Sequence, residues 1–255
     1  MLIALLTDFG LSDPFVGLMK AVILTRRPDA TIVDLAHGIA PQDVRQAAFA
    51  LMHSLDYFAE KTLFVCVVDP GVGSDRRILW ARGTRHQFIA PDNGLLSWVE
   101  EREKIHELRS VTNRKLFLDP VSPVFHGRDI VAPVAAALVG GVQPDTLGPR
   151  VPGMVRFPFP VPRKSRGTVK GEILVFDRFG NAVTNLRPGD LPRGARFKHK
   201  GRDLGRLRTH YAEARSGRAL ALTGSSGYIE LSVRDGSFAR QAEASVGDPV
   251  VVEPA

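Results

Sequence analysis

Apolar and amphipathic segments alternate over residues 2–68, and this alternation restricts the fold more than any other feature of the chain. Leu2–Leu6, Thr31–Leu35 and Leu63–Val68 have the length and composition of buried strands. Phe15–Thr25 and Gln42–Phe58 are predicted as helices. The resulting β-α-β-α-β order predicts a parallel sheet with helices on its faces and right-handed crossovers. The carboxyl ends of the strands then share one edge, where ligands bind in such folds.

The pattern continues to about residue 150. Ile78–Arg82 and Gln87–Ala90 are predicted as strands, Gly94–Glu101 as a short helix, and the alanine- and valine-rich segment Asp129–Val139 as a longer helix. Residues 1–150 are therefore predicted to form an N-terminal α/β domain, Rossmann-like, with a mostly parallel sheet.

A proline-rich stretch separates this domain from a second one. Residues 151–166 contain too many prolines for a helix or a central strand, so they are predicted to be a linker. Residues 167–255 are predicted to form a smaller, barrel-like β domain. Its predicted strands are Gly167–Phe176, Asn181–Leu186, Ala195–His199, Ala219–Thr223, Tyr228–Val233 and Pro249–Val252.

Composition excludes several classes of protein. The net charge is +7, but the basic residues of the second half are interleaved with few aromatics and match no nucleic-acid-reading motif, so no nucleic-acid partner is expected. The single cysteine, Cys66, excludes an internal disulfide. The N-terminus reaches Asp8 before a signal-peptide pattern develops, and no apolar run approaches the ~18 residues of a membrane span. A cytoplasmic protein without membrane contact is expected.

The segment VVDPGVGSDRR, residues 67–77, carries the most specific chemical signal. A buried strand runs into an Asp-Pro-Gly turn, and Gly71 and Gly73 allow the backbone to approach a ligand. Asp69 has two interpretations from the residues alone: a ligand-facing carboxylate or the cap of a turn. The segment lacks the third glycine of a dinucleotide-binding fingerprint, so NAD is not predicted.

The segment FHGRD, residues 125–129, places His126 just ahead of a helix. This position favours a catalytic role over a structural one, although both remain open. Arg128 and Asp129 are explained by a local ion pair and by a negative charge at a helix start. The other histidines have no ligand-like spacing, so no metal site is predicted.

Carboxylates also follow the first strand. Asp8 and Asp13 lie on the predicted loop between the first strand and the first helix, where short carboxylates can accept hydrogen bonds from a ribose diol or an ammonium group. Helix capping by Ser12 or Asp13 is the alternative interpretation.

Two segments of the second domain have the residue types that recognise a flat heterocycle. They are VFDRFGNAVTN, residues 175–185, and GSSGYIEL, residues 224–231. Asn and Ser side chains can bind the edge of a ring while Phe179 or Tyr228 covers its face. The residues alone favour ordinary hairpin turns in both places.

Taken in order, six segments of this chain resemble one known family. They are TDFG at 7–10, VVDPGVG at 67–73, APDNG at 90–94, FHGRD at 125–129, DRFGN at 177–181 and SSGY at 225–228. With them the chain resembles the S-adenosylmethionine hydroxide adenosyltransferases, once classed as a domain of unknown function and related to S-adenosylmethionine-dependent fluorinases and chlorinases.

The resemblance assigns roles to individual residues. It implies a catalytic set of Asp69, Arg76 and His126. It also implies a substrate-binding set: Asp8 at the ribose hydroxyls, Asp13 and Asp177 near the methionine moiety, and Asn181, Ser225 and the backbone around Tyr228 at the adenine. Phe179 joins this predicted set on its residue type, as a ring that could cover the face of the adenine.

The resemblance further implies a reaction and an assembly. The reaction is hydrolysis of S-adenosyl-L-methionine to adenosine and L-methionine by attack of activated water on ribose C5′, without a metal or cofactor. The assembly is a homotrimer with sites between the first domain of one subunit and the second domain of its neighbour. The halogenases build a halide pocket with small hydroxyl side chains at the VDPGVG position, and the departure here favours water. A halogenase and a non-catalytic sensor of S-adenosylmethionine or adenosine remain the alternatives.

Overall fold

Residues 2–68 form the predicted alternation of strands and helices, within a first unit that spans Met1–Phe159. The computed structural model describes residues 1–254. The elements of the first unit are β1 (Leu2–Thr7), α1 (Phe15–Arg26), β2 (Thr31–Ala36), α2 (Val44–Ser54), β3 (Leu63–Val67), β4 (Ile78–Gly83), β5 (Gln87–Pro91), β6 (Ile105–Ser110) and α3 (Ala132–Val139).

These strands form one sheet in the order β2-β1-β3-β5-β4-β6. The neighbours β2, β1, β3 and β5 are parallel, whereas β4 is antiparallel to both β5 and β6. The predicted α/β class with a mostly parallel sheet is therefore confirmed. The carboxyl ends of β1 and β3 lie side by side, with Thr7 paired to Val67.

Leu2–Leu6 of β1 and every residue of β3 are apolar, as expected of strands in a sheet that is covered on both faces. Successive side chains of a strand point to opposite faces. Ile3 and Leu5 accordingly pack with α1 and α3 in one core, whereas Ala4 and Leu6 pack with α2 in the other. Each fully buried Leu or Ile contributes roughly 1.5–3 kcal/mol through removal of its surface from water.

The predicted helix Gly94–Glu101 is wrong. Backbone N–H groups there donate three residues back, from Ser97 to Gly94 and from Glu101 to Trp98, and only the last three residues form a 3₁₀ turn. Leu95, Leu96, Trp98 and Val99 are all buried. An α-helix with one core-facing stripe would leave part of this run exposed.

Strand β6 is absent from the sequence-based prediction because it is highly charged. Its Glu107 accepts hydrogen bonds from Arg82 of β4, from Arg109 of β6 itself, and from Arg150. Charged side chains are typical of an edge strand, where they discourage pairing with another chain.

Residues 151–159, here called the strap, pack on the first unit. The backbone N–H of Val155 donates to Asp92, and the Arg77 guanidinium donates to both Asp92 and the Gly153 carbonyl. The Trp98 ring meets the edges of Phe157 and Phe159, at centroid distances of 5.4 and 5.2 Å. The strap is therefore part of the first unit's core and not a free tether.

The second unit begins at Pro160 and is built from strands. Its elements are β7 (Arg163–Ser165), β8 (Thr168–Phe176), β9 (Ala182–Thr184), β10 (Arg196–His199), β11 (Arg202–Arg208), β12 (Ala219–Thr223), β13 (Ile229–Val233), the short helix α4 (Phe238–Gln241) and β14 (Pro249–Glu253). The order β14-β10-β11-β12-β13-β9-β8 returns to β14 through the β14–β8 pairing. The result is a closed seven-stranded barrel with β7 as an added hairpin strand, which confirms the predicted barrel-like β domain.

Alternating side chains of the barrel strands fill its interior, among them Ile173, Phe197, Leu231, Val250 and Val252. Strands β7 and β11 and helix α4 are absent from the sequence-based prediction. Segment RDLGRLR of β11 is largely charged and exposed, so it lacks the apolar content that predicts a strand.

Candidate active site

A cavity of about 530 Å³ opens on the first unit at the carboxyl ends of the parallel strands. Asp8 follows β1, Asp69 follows β3, and His126 precedes α3, and all three line this cavity. The residues predicted from three distant segments therefore meet around one space.

Asp69 and Arg76 form a bidentate ion pair within one loop. Nε of Arg76 donates to Oδ1 and Oδ2 of Asp69 at 2.9 and 2.8 Å, and Nη2 donates to Oδ2. Both side chains are largely buried, so water screens this pair far less than it screens a surface pair. Asp69 thus orients a permanent positive charge beside the cavity.

The same guanidinium reaches His126. Nη2 of Arg76 lies 2.8 Å from Nδ1 of His126. Because a guanidinium only donates hydrogen bonds, Nδ1 must be the acceptor. A neutral imidazole with an accepting Nδ1 carries its proton on Nε2, so the ring presents an N–H donor through its other nitrogen.

Electrostatics keep this ring neutral. Burial, and after it the positive charge of Arg76, lower the pKa of His126 below its usual value. The carboxylates of Asp69 and Asp129 act in the opposite direction but are outweighed. The imidazole is therefore uncharged at neutral pH.

The backbone around the site requires glycine at one contact. Gly73 has a φ of +82°, and a Cβ there would lie 2.6 Å from the Pro123 carbonyl oxygen. Only glycine lets the β3–β4 loop approach the segment before His126 so closely.

A second ion pair holds that segment. Arg128 donates to Asp129 through Nε and Nη2, and its guanidinium lies 5.0 Å from the Phe125 ring centroid. The buried Asp129 carboxylate also accepts the Ser122 N–H at 2.8 Å. Residues 127–131 form a π-helical turn, so the helix predicted from Asp129 begins earlier and in a wider form.

Asp8 is held at the cavity wall by another loop. Its Oδ2 accepts the backbone N–H of Gln42 at 2.7 Å. Within residues 1–254 no group donates a hydrogen bond to Oδ1, so this oxygen is available to a ligand. Gln42, which also lines the cavity, is a site residue that the sequence did not indicate.

Asp13 is exposed and does not line the cavity. The N-cap of α1 is Pro14 without a side-chain cap, so the capping role considered for Ser12 or Asp13 is not seen either.

Three phenylalanines contribute to the apolar part of the cavity wall. Phe9, Phe15 and Phe125 contact one another edge to face, at centroid distances of 5.3–5.8 Å. Sequence reasoning missed this cluster, although Phe9 and Phe125 directly neighbour Asp8 and His126. The aromatic residue next to Asp8 and the one next to His126 were the available signal.

In the second unit, Asp177 organises a tight turn. Its Oδ1 accepts the N–H groups of Phe179 and Asn181, and its Oδ2 accepts from Nδ2 of Asn181 at 2.8 Å. This turn leaves the Phe179 ring 75% exposed. Phe179 and Asn181 line a pocket of about 580 Å³ together with Tyr211.

Ser225 and Tyr228 lie at the β12–β13 hairpin. Ser225 is exposed, whereas the Tyr228 side chain is buried, with its hydroxyl accepting from Arg187 at 2.6 Å and that guanidinium 4.7 Å from the ring. The covered Tyr228 ring is not open for stacking. Its backbone closes the turn, since its carbonyl accepts the Gly224 N–H.

Two features are absent from residues 1–254. No group of three or more His, Cys, Asp or Glu side chains is arranged to hold a metal ion. No helix combines the length and apolar content needed to cross a membrane.

Comparisons with known proteins agree on one family. Residues 3–148 match the SAM hydroxide adenosyltransferase N-terminal domain, and residues 171–251 match the C-terminal domain. An (R)-S-adenosyl-L-methionine hydrolase of Thermus thermophilus is 39% identical, with 96% of each chain covered. A fluorinase of an Actinoplanes species is 31% identical, covering 74% of this chain and 73% of its own length.

A solved structure extends the agreement to the fold. An uncharacterized conserved protein from Thermotoga maritima superposes with a TM-score of 0.91 at 32% identity, covering 99% of this chain and 100% of its own. The matched domains span nearly the whole chain, and the chain belongs to the SAM hydroxide adenosyltransferase family.

Proposed function

We propose that this protein hydrolyses S-adenosyl-L-methionine to adenosine and L-methionine, as the name of its Thermus relative indicates for that protein. The observation that carries the proposal is the hydrogen-bonded set Asp69–Arg76–His126, of which Asp69 and His126 line one cavity together with Asp8. The enzyme needs no cofactor in this proposal, because S-adenosylmethionine is the substrate.

The leaving group makes few demands on the protein. Attack at ribose C5′ forms a C–O bond and breaks the C–S bond, and the electron pair returns to a sulfonium that becomes the neutral thioether of methionine. No acid is needed for this departure. The difficulty lies with the nucleophile, since bulk water has a pKa of about 15.7.

The site residues suit stabilisation of hydroxide better than general-base catalysis. Nδ1 of His126 accepts from Arg76, and both oxygens of Asp69 accept from Arg76, so neither residue offers its basic atom freely. What the site supplies is a fixed positive charge and the N–H of His126. Both favour hydroxide over water at the attack position. The proton of that water leaves to solvent before attack.

The proposed substrate-binding residues come from the first unit of one subunit and the second unit of its neighbour. Asp8 binds the ribose diol through its free Oδ1, and Asp13 and Asp177 interact with the methionine moiety. Asn181, Ser225 and the backbone of Tyr228 bind the adenine edge while Phe179 covers its face. The exposed Phe179 ring and its position next to Asn181 support this assignment.

We also propose a homotrimeric assembly in the cytoplasm, with each site shared between two subunits. Its support in this chain is apolar exposure beside the cavity: Leu11 and Val124 are exposed, and Val124 lines the cavity itself. Light scattering of the purified protein tests the assembly.

Product identification tests the proposed function. The purified protein is incubated at neutral pH with each sulfonium epimer of S-adenosyl-L-methionine, with and without chloride, and nucleosides are identified by chromatography and mass. Adenosine and methionine in equal amounts, independent of chloride and absent with His126→Ala, are expected. A 5′-halo nucleoside would instead indicate a halogenase, and bound but unchanged substrate would indicate a sensor.

The state of His126 gives a separate prediction. Its imidazole is expected to titrate below pH 6.5 and to carry its proton on Nε2, both observable from ¹⁵N chemical shifts. Arg76→Gln removes one of the two causes of the lowered pKa, so titration should move upward. Between the folded-state pKa and 6.5 the unfolded chain binds a proton that the folded chain does not, so stability falls as pH falls through this window. A wild-type titration above 6.5, or a proton on Nδ1, would contradict the assignment.

A further inference from the structure

A series of hydrogen-bonded polar side chains leads from Lys20 and Asp34, which are partly exposed, to His37 and then to Thr7, which precedes the cavity residues Asp8 and Phe9. Nζ of Lys20 donates to Asp34 at 2.6 Å, and Nε2 of His37 lies 3.0 Å from the other oxygen of Asp34. Nδ1 of His37 lies 2.9 Å from the Thr7 hydroxyl, which accepts the Phe9 N–H. Thr7 and His37 are both buried. Neither lines the cavity, so direct contact with substrate does not explain them.

The hydrogen bonds among Lys20, Asp34, His37 and Thr7 can all form at once, with one donor and one acceptor in each. Burial opposes ionisation of Asp34, but hydrogen bonds from His37 and Lys20 outweigh it, so the pKa of Asp34 lies below its usual value. An ionised Asp34 only accepts, and Nε2 of His37 therefore donates to it. A ring that carries one proton, on Nε2, accepts the Thr7 hydroxyl proton at Nδ1, which leaves the Thr7 oxygen free to accept from Phe9.

His37 also holds the loop through its backbone. Its carbonyl oxygen accepts the N–H of Gly10 at 2.8 Å, and Gly10 has a φ of +66°. His37 thus forms hydrogen bonds with both ends of the segment Thr7–Gly10. Asp8 lies between the two contacts, and its only other anchor among residues 1–254 is the Gln42 N–H.

We propose that His37 is a positioning residue for Asp8. Because His37 accepts hydrogen bonds from Thr7 and Gly10, it fixes the position of the Asp8 carboxylate on the cavity wall. Asp34, which is paired with Lys20, in turn fixes the orientation of the His37 ring. The inference rests on the proposed function, in which Asp8 binds the ribose diol. It assigns His37 to affinity for the nucleoside part of the substrate and not to bond breaking.

A second buried histidine of this protein, His86, serves as the control for a purely structural role. His86 is as buried as His37, and its Nδ1 lies 3.1 Å from Glu103. This pair lies outside the cavity. If buried histidine–carboxylate pairs here only stabilise the fold, changes at His37 and His86 should have the same consequences.

Two substitutions at His37 separate its two ring nitrogens. The amide of asparagine lies near the place of Nδ1, so His37→Asn keeps an acceptor for Thr7. The amide of glutamine lies near the place of Nε2, so His37→Gln keeps only the contact with Asp34. We expect His37→Gln to raise both the adenosine Kd and the KM for S-adenosylmethionine ~10-fold with kcat within ~3-fold, the size of one lost hydrogen bond. His37→Asn and His86→Gln should leave both constants within ~3-fold of wild type.

The measurements are calorimetric titration with adenosine and steady-state kinetics with S-adenosylmethionine, after circular dichroism has established folding. Thr7→Val, which removes the hydroxyl but keeps the shape, should reproduce the His37→Gln result and replaces it if that variant does not fold. Equal effects of His37→Gln and His37→Asn, or unchanged adenosine affinity in both His37→Gln and Thr7→Val, would overturn the positioning role.

The two proposals fail separately. Wild-type protein that binds adenosine but releases no methionine would overturn the hydrolase proposal, and the adenosine titrations would still decide on His37. Normal wild-type turnover with unchanged constants in the variants would overturn only the role of His37. Wild-type protein that binds no adenosine and releases no methionine would overturn both.

Discussion

Alanine in place of His126 or Asp69 is expected to lower kcat by at least ~10², about 2.7 kcal/mol of transition-state stabilisation, while adenosine affinity changes far less. His126→Ala removes the N–H that stabilises hydroxide. Asp69→Ala frees the Arg76 guanidinium from the bidentate contact that orients it. Single-turnover kinetics measure the loss.

The neighbouring arginines provide the control. Arg76 and Arg77 each donate through Nε and Nη2 to a carboxylate, Asp69 and Asp92 respectively, but only Arg76 also reaches His126. The kcat of Arg76→Lys should fall as it does in the alanine variants, because one ammonium group cannot reproduce the several directed hydrogen bonds of the guanidinium. Arg77→Lys should keep kcat within ~3-fold. Near-normal turnover in both His126→Ala and Asp69→Ala would remove the proposed mechanism.

Trp98→Ala is expected to lower the free energy of unfolding by ~3–5 kcal/mol, the range for truncating a large buried aromatic. The Trp98 ring is fully buried between Phe157 and Phe159, and the Arg45 guanidinium lies 5.5 Å from its centroid. Its truncation leaves a cavity that the proline-rich strap cannot fill. Chemical denaturation followed by far-ultraviolet circular dichroism measures the change.

Val161→Ala is the comparison for that measurement. Val161 belongs to the same proline-rich stretch but is 79% exposed, so its truncation should change stability by no more than ~0.5 kcal/mol. Equal unfolding midpoints for the two variants would mean that the strap does not contribute to the core of the first unit.

The sequence predicts the fold best where one kind of patterning dominates. Leu2–Leu6 of β1 and the whole of β3 are continuous apolar runs, which are typical of strands covered on both faces, and the order of elements then predicts a parallel sheet. Strand β11 shows the opposite case. Four of its residues are charged, and its place in the barrel comes from pairing with β10 and β12, which no local pattern reports.

The sequence points to some residues of the candidate site but not to the contacts between them. The carboxyl ends of β1 and β3 bring Asp8 and Asp69 to one edge by topology alone. That Arg76 and not Arg77 turns toward His126 depends on the path of the β3–β4 loop. Gln42 enters the site through a loop conformation with φ of +66°, rare for a residue with a side chain, and composition gives no sign of it.

The tautomer of His126 also could not be predicted from the sequence. From sequence, an imidazole near neutrality serves equally as a general base or as a donor. The 2.8 Å contact from the Arg76 guanidinium selects the donor form, because it occupies the lone pair that a base would use.

The strap also determines where relatives of this family can be recombined. A crossover placed at residue 150, where the first domain ends by sequence pattern, would pair Trp98 with a foreign Phe157 and Phe159 and Asp92 with a foreign Val155. A crossover immediately after Phe159 inherits all of these contacts from one parent. Chimaeras joined there keep the first unit's core intact, so differences in their activity would report the donated barrel and not a damaged core.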